Sequence, residues 1–86
     1  MDPNFLKWIL ETQFNFREQN RQDFLEALKS NPKRVKTFIH NQLQDWTVVA
    51  AFKLVKVIAI PNYDKAVEEI LEAVKKHFAA DLAPTS

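Results

Sequence analysis

Apolar side chains recur along this chain at intervals of three and four, the spacing that stacks them on one side of an α-helix. Phe5, Ile9, Thr12 and Phe16 form one stripe. Leu6, Leu10 and Phe14 form a second, nearly opposite the flank held by Trp8, and the polar strip of Asn4, Lys7, Glu11, Asn15 and Glu18 is narrow. Asp2 followed by Pro3 makes a helix start. The carboxylate can accept from the first free N–H groups, and proline lacks an N–H where none is needed. A helix apolar over most of its circumference needs cover on more than one side. It is either the centre of a bundle or a helix with one face in the core and another, carrying Leu6, Trp8, Leu10 and Phe14, for a protein partner.

The stretch from Asn15 to Gln22 is polar and reads as a joint. Asn20 is placed to cap a second helix, with Asp23 at its third position and Phe24, Leu25 and Leu28 facing inward. Asn31 precedes Pro32, and a residue before proline avoids helical geometry, so the second helix ends there and a third begins at Pro32. The third helix extends to about Trp46 and directs Val35, Phe38, Ile39, Leu43 and Trp46 inward. Pro61-Asn62 interrupts the chain again. A last helix, capped by Asn62 or Asp64, turns Tyr63, Val67, Ile70, Leu71, Val74 and Phe78 to the core. Lys65 with Glu69 and Glu72 with Lys76 are spaced as i,i+4 pairs on its solvent side.

Thr47 to Ile60 is ambiguous, because Val48, Val49, Val55, Val57, Ile58 and Ile60 are β-branched and favour a strand. Lys53 and Lys56 decide for helix. In a strand they would point to opposite faces and leave neither free of charge, whereas on a helix they share one side. The expectation is a fourth helix over 47–60, the most buried of all. At 14 residues with two charges it falls short of the ~20 apolar residues of a membrane span, and no membrane role is expected. The fold class is therefore all-α, a compact bundle of four to five short helices in a single domain over 1–78, followed by a flexible tail over 79–86.

Composition sharpens this reading. The 86 residues contain no glycine, which removes the usual residue for left-handed turns, phosphate-cradling loops and tight hairpins. They contain no cysteine, so neither disulfides nor thiolate metal sites are available, and a cytoplasmic location without a secretory signal is expected. Two histidines, His40 and His77, lack a second ligand at metal-binding spacing. The carboxylates Glu68, Glu69 and Glu72 sit among lysines on a solvated face, with nothing to drive their proton affinities apart. No catalytic residue, cofactor or metal is expected.

Charge is uneven although its sum is only +1. Residues 29–60 carry six basic side chains and one acidic, while the segments on either side each carry three basic and five acidic. The plain account is a basic middle packed between acidic flanks. The sharper one is a polyanion site, since Lys29, Lys33, Arg34, Lys36, Thr37, His40, Asn41 and Gln44 gather on and before the outer side of the third helix. Cations there would contact phosphates, and amides and hydroxyls would contact bases or sugars. Two function classes follow: a non-enzymatic protein–protein interaction module or accessory subunit that self-associates, as a dimer, through the first helix, and a nucleic-acid-binding module using the third.

Overall fold

The computed structural model describes residues 1–55 and 60–82. Among them are five helices and no strand: α1 (Pro3–Thr12), α2 (Glu18–Ser30), α3 (Pro32–Phe52), α4 (Tyr63–His77) and α5 (Ala79–Leu82). The chain is an all-α bundle. Helices α3 and α4 form its central pair, α2 lies along α3, and α1 packs against both members of the pair.

Helix α1 begins as its sequence dictates. The Asp2 side chain accepts from the backbone N–H of Asn4 at 2.8 Å and of Phe5 at 3.3 Å, and Pro3 occupies the first turn. The helix stops at Thr12, four residues before the end of its apolar stripe. Phe14 and Phe16 therefore leave the chain from an irregular connection and not from the helix surface. That geometry swings Phe14 into the core, where its ring lies 5.4 Å from Phe24 and 5.7 Å from Trp46 between centroids. Phe16 and Phe38 complete the aromatic cluster around it.

Helix α2 starts at Glu18 rather than at Asn20, and Arg17 at its N-cap makes no side-chain hydrogen bond. Glu18 in the first turn and Lys29 in the last complement the helix dipole instead. Asn31 is at once the C-cap of α2 and the N-cap of α3, held out of helical geometry as expected of a residue before proline.

Helix α3 corrects the largest expectation. It continues without a break through Trp46 to Phe52, because no glycine or proline intervenes. Its core stripe is Val35, Ile39, Leu43, Trp46 and Ala50. The separate, deeply buried helix expected over 47–60 is not formed within the described part. Thr47–Phe52 belong to α3, only Ala50 among residues 47–55 is buried, and Val48, Val49, Phe52 and Leu54 are exposed. The remainder of that expectation, on Lys56 to Ala59, lies outside the described residues. An apolar run is not by itself a buried run. In fact the core stripe, continuing at its own spacing, leaves Val48, Val49 and Phe52 on other sides of the helix.

Asn62 caps α4 by accepting from Lys65 N–H at 3.2 Å, and Asp64 at its start with Lys75, Lys76 and His77 at its end match the dipole. Ala66, Val67, Ile70, Leu71 and Val74 enter the core, but Tyr63 and, on α3, Phe38 are more exposed than their stripes imply. Ala79–Leu82 form a helical turn, Leu82 packs on the core, and Asp81 meets Arg21 at 2.5 Å. Residues 83–86 of the expected tail lie outside the described residues.

Every buried side chain among the described residues is apolar. Ile9, Ile39, Leu43 and Ile70 are fully enclosed, each contributing ~1.5–3 kcal/mol of hydrophobic stabilisation relative to exposure. Among the described residues the core therefore holds no ionisable side chain, and the polar groups lie on the surface.

Candidate interaction surfaces

Three surfaces follow from this packing. The first is the flank of α1 singled out by sequence for self-association. Phe14 is unavailable there, being 3% exposed at the centre of the aromatic cluster. Leu6, Trp8 and Leu10 are half-buried against the core, with Trp8 stacked on Phe5 at 6.2 Å between ring centroids. The two apolar stripes of α1 are thus largely satisfied within the chain. The reason is that α1 packs against both α3 and α4, so it is covered by more than one neighbour.

The second surface is the outer side of α3. Lys33, Arg34, Thr37, His40, Asn41 and Gln44 are exposed along it, and Lys29 is exposed at the end of α2, across the Asn31-Pro32 joint. The structure therefore brings the sequence-predicted polar row together, with one exception. Lys36 turns towards α4 and forms an ion pair with Glu68. The hydrogen bond to Glu68, and then its charge, raise the Lys36 ammonium above its ordinary 10.5. Thr37 donates its hydroxyl to the Lys33 carbonyl at 3.0 Å, so that donor is already engaged. His40 meets Tyr63 edge-on at 6.5 Å between centroids. An open groove of about 600 Å³ separates α3 from α4, and acidic Asp64 and Glu68 face Lys33, Lys36 and His40 across it. Part of the basic face is neutralised from within the molecule, as the plain account of the charge distribution requires.

The third surface was not anticipated. At the C-terminal end of α3, Val48 is 51% exposed, Val49 41%, Phe52 83% and Leu54 94%. These four side chains sit within two turns, and apart from Lys53 no charged side chain lies among them. A signal for them did exist in the sequence. Phe38, Gln42, Asp45, Val49 and Phe52 follow one another at intervals of four and three, so Gln42 and Asp45 mark the row that carries Val49 and Phe52 as an outward one.

This end of the helix is also the place where the missing glycine is felt. Val55 N–H reaches back to the Ala50 carbonyl at 2.9 Å, and Leu54 N–H to the Ala51 carbonyl at 3.1 Å. The pair of bonds is a Schellman closure, whose turning residue adopts the left-handed conformation. Here that residue is Leu54, with φ of 61°, where glycine is usual. A leucine that is both left-handed and almost fully exposed departs from two local rules at once, and such departures concentrate at functional sites.

Among the described residues no group of three or more histidine, cysteine, aspartate or glutamate side chains is arranged to hold a metal ion, and no helix is long and apolar enough to cross a membrane. No protein-family model, curated protein or solved structure matches this chain.

Proposed function

We propose that the chain is a small cytoplasmic, non-enzymatic protein–protein interaction module, an accessory or regulatory subunit that associates with protein through the C-terminal end of α3. The observation that carries this reading is the apolar surface of Val48, Val49, Phe52 and Leu54, which includes the two most exposed of the large apolar side chains described, Phe52 and Leu54. Single exposed apolar residues are ordinary, but a contiguous group of them marks a contact surface. The wholly apolar core supports a binding rather than a catalytic role, since catalysis needs titratable groups in perturbed surroundings. The test is a photo-crosslinking residue at position 52, compared with one at position 44 on the polar side of α3, in cells that make the protein. Protein adducts from position 52 and few from position 44 support the reading. Equal labelling, or none at 52, overturns it.

A second reading, nucleic-acid binding by the outer side of α3, is favoured by the exposed row Lys33, Arg34, His40, Asn41 and Gln44. Against it stand the ion pair that takes Lys36 and the acidic groups lining the same groove. A gel shift with generic DNA and RNA decides. Salt-sensitive binding lost in K33E/R34E supports this second reading, and the expected result is no shift.

A further inference from the structure

We infer that the partner seated on the end of α3 is a second copy of this chain, with the two α3 helices antiparallel about a two-fold axis beside Val49. The inference rests on the protein-binding reading above and specifies its occupant. Beyond Lys36, α3 and its C-cap carry two charged side chains, Asp45 within the helix and Lys53 at the cap, and each lies four residues from Val49. Both are exposed, and among the described residues neither takes part in an ion pair. At 1.5 Å per residue they are ~12 Å apart along their own helix, too far to neutralise each other. Reversing a second helix about Val49 places Asp45 of each copy at the level of Lys53 of the other, ~6 Å on either side of the axis. A parallel arrangement would set like charges together, so the surface discriminates between the two directions.

An interface with a two-fold axis must be self-complementary, and this surface meets that condition with few parts. Val49 lies on the axis, Val48 and Phe52 flank it, and the two charge pairs close its ends. The patch is small beside the ~800 Å² per partner of a standard interface, so the pairing is weak and depends on concentration. Leu54, next to Lys53 and almost fully exposed, widens the apolar part of the contact.

Sedimentation equilibrium across a wide concentration range tests this, with circular dichroism confirming that each variant stays helical. Phe52 is so exposed that F52D leaves the monomer intact and abolishes the dimer. D45K alone and K53E alone each replace two attractions with two repulsions and raise the dissociation constant at least ~10-fold. The double variant D45K/K53E restores the attraction with its signs exchanged and returns to within about threefold of the wild type. A monomer at every concentration overturns the inference, as does a dimer insensitive to the two single charge variants. A monomer that binds phosphatidylserine vesicles through Phe52 also overturns it, because the patch would then be a lipid contact. Crosslinks from position 52 to other proteins alone, with no dimer, overturn the inference and leave the broader reading standing. Absence of any protein adduct removes both.

Discussion

Val55 and Ala50 are joined by a backbone hydrogen bond of 2.9 Å that spans Leu54, the one left-handed residue found among those described. The bond satisfies a carbonyl at the end of α3 and brings Val55 back over Ala50, the last core residue of that helix. It does so against the steric preference of leucine, for which the left-handed region is unfavourable by ~1–2 kcal/mol.

Replacing that leucine by glycine removes the steric penalty while making the unfolded chain more flexible. L54G is expected to raise the stability of the monomer by about 1 kcal/mol, and L54A to leave it within about 0.5 kcal/mol. Urea unfolding at a concentration low enough to keep the protein monomeric measures both. A glycine variant less stable than the wild type would show that the contacts of Leu54 outweigh its backbone strain.

Phe14 and Leu10 occupied equivalent places in the sequence pattern, and the structure separates them. F14A opens a cavity among Phe24, Trp46 and their neighbours and is expected to destabilise by about 3–5 kcal/mol, enough to unfold much of a domain this small. L10A, at a half-buried position, is expected to lower stability by less than half as much. Equal effects in thermal unfolding would contradict the central position of Phe14.

The end of α4 is tied down by Asp81 and Leu82. Truncation after Phe78 removes the contact with Arg21 and the packing of Leu82, and is expected to lower stability by roughly 1 kcal/mol. Truncation after Leu82 preserves both contacts and serves as the comparison. If the two truncated chains melt together, α5 adds nothing to the fold.

The Lys36–Glu68 pair gives a pH expectation with a definite sign. The Lys36 ammonium is raised in the folded chain, so its contribution is complete below the ordinary value of 10.5 and disappears as pH rises through the raised one. The group is open to solvent, so the effect is small. K36M should leave the pH dependence of unfolding unchanged between about pH 6 and 9, and differ from the wild type only in alkali. A difference centred near neutrality would mean that another group is involved.

How much of this was legible in the chain differs from helix to helix. The caps at Asp2 and Asn62 and the break at Asn31-Pro32 depend on neighbours in sequence, and they appear where local chemistry puts them. The core stripe of α4 was equally plain because its polar side is broad. The end of α1 was not, because its stripe continues on paper through residues that have already left the helix. The burial expected over 47–60 fails in its described part, 47–55, because hydropathy says which side chains avoid water and not whether a neighbour exists to cover them. The outward row of Val49 and Phe52 is marked in the sequence by Gln42 and Asp45, whereas the exposure of Leu54 depends on the left-handed turn that ends α3.

Among the described residues the core contains no polar or charged side chain whose partner must be matched, which has a consequence for how the protein can vary. Its aliphatic members can be exchanged for others of similar volume, several at a time, with little loss. Shape alone then has to tell the native arrangement from a slipped one. That task falls to the rigid rings of Phe14, Phe24 and Trp46, with Phe14 packed against both of the others. They act as the key of the fold, while the aliphatic layer around them is free to drift.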